Sequence, residues 1–99
     1  MISDKAYRAM HRLQPWRETV NIKDLLTDDD SPENCENTAK ALVKRLRAAF
    51  PKPDYDLENI ISDFEDVSAN DKRPLALFND ILDNLYDWAD ANRVWLGGP

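Results

Sequence analysis

The residues with chemistry to offer in this 99-residue chain are carboxylates at helical spacing. Asp80, Asp83, Asp87 and Asp90 stand at offsets of zero, three, seven and ten, so a helix through them places all four on one line. Only Asp90 has a cation three or four places away, Arg93, and each like-charged neighbour along such a line costs roughly 0.2–0.5 kcal/mol. A purely solvated face more often mixes in lysines to remove that cost. Upstream, Asp54, Asp56, Glu58, Asp63, Glu65 and Asp66 form a second acidic stretch. The chemistry on offer is capture of a cation. Tyr55, Tyr86, Trp88 and Trp95 lie among these acids, and tyrosine and tryptophan are the side chains enriched at the centres of protein interfaces. Trp88 falls on the apolar line of its segment and is expected in the core. Tyr86 falls between the apolar and acidic lines and is the better contact candidate, with Tyr55, in the loop before its helix, the next. The expected contact set is Asp80, Asp83, Tyr86, Asp87 and Asp90, together with Tyr55, Asp56, Glu58, Asp63 and Asp66.

Bond-making chemistry has little to stand on. Catalysis needs a nucleophile with its base, a metal cage or a tuned pair of acids. His11 is the one histidine and lies in a run of arginines, where a solvated role is expected. Cys35 sits between Glu33 and Glu36 at the start of a helix; the helix end favours a thiolate, the flanking acids oppose it, and a structural role is expected. Asp28-Asp29-Asp30 lacks the glycine and the spaced acids of a calcium loop. No glycine precedes Gly97, so no phosphate-cradling loop exists. The chain is expected to be neither an enzyme nor a metal or cofactor carrier.

These side chains have to be positioned by helices. Glycine is confined to Gly97 and Gly98, and no stretch alternates strictly for more than a few positions, which predicts an all-α fold. A first helix is expected over about 3–14, capped by Ser3 and stopped by Pro15, and a short one near 21–27 carrying Ile22, Leu25 and Leu26. Ser31-Pro32-Glu33 is a capping hydroxyl, a first-position proline and an acid at the positive end of the dipole, so a long helix is expected over 32–50 with Ala39, Leu42, Val43, Leu46 and Phe50 inward. Pro51-Lys52-Pro53 ends it. Helices over 56–68, burying Leu57, Ile60, Ile61, Phe64 and Val67, and over 72–94, burying Phe78, Ile81, Leu82, Leu85 and Trp88, complete an expected single-domain bundle of four. The tail from Val94 to Pro99 has no assigned role beyond covering the end of the bundle.

Charge is uneven along this framework. Nineteen acids against thirteen bases leave −6 at pH 7. Residues 1–39 balance to −3, residues 40–52 to +5 with no acid, and residues 53–99 to −8 from eleven acids and three bases. The competing, purely structural reading has Lys40, Lys44 and Arg47, which share one face of the 32–50 helix, neutralise some of these acids. Full internal pairing is arithmetically impossible in the last forty-seven residues without cations from elsewhere. Net negative charge argues against non-specific attraction to nucleic acid or anionic lipid. A helix-turn-helix built from the 32–50 and 56–68 helices would drive Glu58, Asp63, Glu65 and Asp66 toward phosphates, so a DNA-binding regulator would have to rest on Lys40, Lys44, Arg45, Arg47 and Lys52, with the 32–50 helix as its reader. With one cysteine no internal disulfide is possible, the longest apolar run is Leu75 to Phe78, and Asp4 and Lys5 break any secretory leader, so a cytoplasmic location is expected.

From Asp56 to Leu96 the order of features, an acidic amphipathic helix, a polar turn, then Leu75-Ala-Leu-Phe-Asn-Asp-Ile-Leu-Asp-Asn-Leu-Tyr-Asp-Trp-Ala-Asp90, resembles small bacterial toxin-immunity proteins of the MafI and contact-dependent-inhibition type. That resemblance implies a cytoplasmic protein that binds one cognate toxin, commonly a basic nuclease, and carries Asp80, Asp83, Tyr86 and Asp87 over as contacts. The expected function is a non-enzymatic inhibitor of a basic protein, most plausibly a toxin nuclease domain. The alternatives are a phage-encoded acidic protein that imitates DNA and the helical DNA-binding regulator.

Overall fold

The computed structural model describes residues 16–97. The helix expected over 3–14, with His11 in it, lies outside these residues. The chain is mostly helical, with three α-helices among the described residues: α1 (Pro32–Ala49), α2 (Tyr55–Glu65) and α3 (Pro74–Ala91). Ser31 caps α1 by accepting from the Asn34 amide at 3.2 Å, and Pro32 occupies the first helical position, as that start signal predicts. Asp54 caps α2, its carboxylate accepting from the Leu57 amide at 2.8 Å. No helix among the described residues is long and apolar enough to cross a membrane.

The ends of α2 and α3 fall short of the expected 68 and 94 for local reasons. At the first, the amides of Asp66 and Val67 bond three residues back, which tightens the last turn, and the Asp71 carboxylate then captures the Ser68 amide at 2.9 Å. At the second, Asn92 turns back to donate from Nδ2 to the Trp88 carbonyl at 2.8 Å, and Arg93 takes a left-handed φ of 55°. The short helix expected near 21–27 is one 3-10 turn, Lys23–Leu25, because Asn21 Oδ1 accepts from the Lys23 amide and closes the backbone early.

The all-α expectation needs one correction. Glu18–Thr19 (β1) and Val94–Trp95 (β2) pair in parallel, with Glu18 opposite Val94 and Thr19 opposite Trp95. The pairing extends through Val20 N–H to the Trp95 carbonyl at 2.7 Å and Ile22 N–H to the Leu96 carbonyl at 2.9 Å. Val20 and Ile22 on one side, and Val94 and Leu96 on the other, thereby turn inward and are buried. Gly97 closes this tail at φ 100°, where an added Cβ would run into Asn21 Oδ1.

The three helices touch pairwise around one core. α1 contributes Cys35, Ala39, Leu42 and Leu46, α2 contributes Leu57, Ile61 and Phe64, and α3 contributes Phe78, Leu82 and Leu85. Phe64 and Phe78 lie 5.7 Å apart between ring centres. Two polar ties lash the surface segments to this core. Arg45 donates to the Asn21 carbonyl at 2.7 Å and pairs with Asp24, while Glu36 accepts from the Ala69 amide at 3.2 Å and pairs with Lys40 at 3.4 Å. The Arg45 hydrogen bond holds the Asp24 carboxyl below its usual range; the Ala69 amide, then Lys40, do the same for Glu36. Groups with depressed folded values stabilise above the unfolded pKa and stop doing so as pH falls through the folded one. Stability is therefore expected to decline below about pH 4, and the combined Asp24→Asn, Glu36→Gln variant should show a shallower decline in acid denaturation followed by circular dichroism.

Candidate protein-binding groove

Three of the expected contact residues converge. Asp56 and Asp63 from α2 and Asp87 from α3 line a groove of about 380 Å³ between the two helices. Asn59, Asn84 and Asn92 complete its polar wall, and Ile60, Trp88 and Ala91 give it an apolar floor. Among the described residues no lysine or arginine lines it. On α2 the lining residues recur at 56, 59, 60 and 63, and on α3 at 84, 87, 88 and 91, each one helical face. Asp56 and Asp63 are exposed and have no ion pair among the described residues.

The indole that forms part of the floor is fixed in place. Trp88 is buried to 9% exposure, and its Nε1 donates to both oxygens of Asp54, at 3.1 and 3.3 Å. Phe50 meets it edge-on, ring centres 5.4 Å apart at 85°. One carboxylate therefore both starts α2 and clamps α3 beside it. Its core placement agrees with the apolar periodicity.

The remaining expected contacts are dispersed. Asp66 caps the far end of α2, and Asp80 lies exposed near the start of α3, neither with an ion pair among the described residues. Asp83 and Asp90 are half-buried, and Asp83, Asp87 and Asp90 each already make a polar or electrostatic contact within the chain. The aspartate line on α3 is thus no row of idle charges. Glu58 is already engaged within the chain. Arg47 reaches across from α1 and holds Glu58 at 3.1 Å and Glu65 at 3.1 Å, with a second bond to Glu58 at 3.3 Å. The structural reading of Lys40, Lys44 and Arg47 is right for Arg47 and these two acids.

The aromatic expectations split. Tyr55 opens α2 rather than preceding it and is 81% exposed, available for contact. Tyr86 is only 3% exposed and is withdrawn from the contact set. The physical reason is the tail. Val94, Trp95 and Leu96 fold back along α3 and cover the flank carrying Tyr86, between the buried Leu82 and Ala89. The pocket left there holds only about 10 Å³, enough for nothing larger than a water molecule. The Tyr86 hydroxyl has no hydrogen-bond partner among the described residues, and burial pushes its pKa up to about 12. An unmet buried hydroxyl is destabilising, so Tyr86→Phe is expected to raise stability by about 1 kcal/mol. The absorbance titration of tyrosine should lose the group that ionises near pH 12.

The other reactive groups lie away from the groove. Cys35 is fully buried, and that burial, then Asp30 and Asp29, raises its thiol pKa, in keeping with a structural role. Among the described residues no group of three histidine, cysteine or acidic side chains is close enough to hold a metal ion. Of the five cations a DNA reader would use, Lys40, Arg45 and Arg47 already face Glu36, Asp24, and Glu58 with Glu65. No family model, curated protein or solved structure matches this chain. The groove must be interpreted from its own chemistry.

The groove-forming carboxamides and Trp88 were missed as site residues by sequence reasoning. Their signal was present: Asp56, Asn59, Ile60 and Asp63 repeat at three and four, mixing polar groups into what looked like a simple acidic stretch.

Proposed function

We propose that this protein is a non-enzymatic inhibitor that binds a basic protein through the α2/α3 groove and its acidic surroundings, acting in the cytoplasm on the nuclease domain of a bacterial toxin. The observation that carries this reading is the convergence of Asp56, Asp63 and Asp87 on one groove with an apolar floor, with no lysine or arginine among the described residues that line it. A nuclease must present cations to hold phosphates, and an acidic surface complements that substrate path. Tyr55, exposed one turn before Asn59, supplies an amphipathic side chain of the kind that carries affinity at interface centres. The likeness of residues 56–96 to toxin-immunity proteins supports the same partner class. Internal pairing of three of the five cations between residues 40 and 52 weighs against the DNA-binding regulator.

The test is affinity capture from native lysate of the source cell, followed by a nuclease assay of the retained basic protein. The reading expects one retained nuclease whose activity falls to background at one equivalent of added protein. Retention of many unrelated DNA-binding proteins, each released by duplex DNA, would instead support the DNA mimic.

A further inference from the structure

We infer that Arg17 is a positioning residue for the groove: it holds the C-terminal end of α3 from outside and thereby fixes the Asn92 side chain in the groove wall. This deepens the inhibitor reading and rests on it for the partner. Asn92 belongs both to the groove and to the pairing of the two chain ends. Its side chain lines the groove and donates from Nδ2 to the Trp88 carbonyl at 2.8 Å, which ties the wall to the residue that forms the floor. Its carbonyl accepts from Arg17 Nε at 3.2 Å, across seventy-five positions of sequence.

The end of α3 calls for such a tie. The last carbonyls of a helix have no partner further along it, and the negative end of its dipole favours a cation. The last turn of α3 carries no basic residue, so Arg17 meets that end from a distant part of the chain. Directly after Asn92 the chain reverses at Arg93, whose φ of 55° is a conformation that a side chain of this size keeps only where its surroundings hold it. The same segment does the holding, because the Arg17 and Glu18 amides donate to the Arg93 carbonyl at 2.7 and 3.5 Å. The amides thus fix the reversal, and the guanidinium fixes Asn92 one residue before it. Arg17 is exposed and stands outside the groove lining, so a partner seated in the groove senses its position through Asn92. This role differs from a charge effect in its kinetics. Removing a cation from a protein of net charge −6 speeds encounter with a basic partner, whereas loosening the groove wall speeds departure.

The experiment compares the isotopically labelled full-length protein with its Arg17→Ala variant, first free and then bound to the retained nuclease. In the free variant the χ1 couplings of Asn92 are expected to average between rotamers, and its backbone amide to exchange about fivefold faster, while the Leu42 and Leu46 amides of α1 exchange as before. In the complex, release of the variant is expected to be about fivefold faster with no loss of association rate. A single Asn92 rotamer in the variant, exchange that rises equally at Leu42 and Leu46, or an unchanged release rate beside quicker association would each overturn the positioning role. The two readings fail separately. A loosened Asn92 in the free variant with no inhibited nuclease upholds the positioning role and removes the inhibitor, whereas inhibition that persists with Asn92 still fixed in the variant removes the positioning role alone.

Discussion

Changing Asp56, Asp63 and Asp87 together to asparagine is expected to slow association with the basic partner about tenfold at low ionic strength and to flatten its salt dependence. The substitutions keep side-chain size and hydrogen-bonding capacity, and they remove half of the −6 net charge from one groove. Charges of this kind act during encounter, over a Debye length of about 10 Å at 0.1 M salt, so the wild type and the variant should converge as salt rises. Stopped-flow association at several salt concentrations checks this. Identical rates at low salt would mean that the partner docks elsewhere. Glu58 is a useful control, because Arg47 already neutralises it and Glu58→Gln should leave the rate nearly unchanged.

Asp54→Ala should be the most damaging single substitution around the groove, at about 2–3 kcal/mol. Loss of an N-cap costs about 0.5–2 kcal/mol, and loss of a hydrogen bond to a charged group about 1.5–3 kcal/mol in full burial; the exposed position of Asp54 keeps the combined effect near the lower end. Asp54→Asn preserves a competent cap and should recover about 1 kcal/mol of the loss. The two functions of this carboxylate are separable by a cycle with Trp88→Phe, which deletes the indole donor and leaves the cap. Urea denaturation of the four proteins gives the coupling. A coupling near zero would show that the Asp54–Trp88 contact does not brace α3 against α2.

The parts of the fold legible in the sequence are those with local causes. Ser31-Pro32 and Asp54 announce helices because a cap acts on amides three residues away, and the inward line of α2 follows from one period. The β1–β2 pairing joins residues seventy-six positions apart through strands two residues long, and no local pattern encodes it. Its consequence reaches the site, since the same tail buries Tyr86, which the helical wheel alone leaves at a boundary. The charge surplus was legible as arithmetic, but its destination was not. Arg47 chooses Glu58 and Glu65 only because α1 packs beside α2, and Asp83, Asp87 and Asp90 each make a contact within the chain. What endures is narrower than a whole acidic face: one groove, entered from α2 and α3.

Carboxyl footprinting of the complex tests that groove most directly. The protein, alone and saturated with the nuclease it retains, is treated with a carbodiimide and glycine ethyl ester, and modification at each acid is read by mass spectrometry. The account predicts strong protection of Asp56, Asp63 and Asp87 on binding, with Glu18, Asp28 and Glu33 modified as before. Unchanged modification of Asp56 and Asp63 in a saturated complex would contradict it.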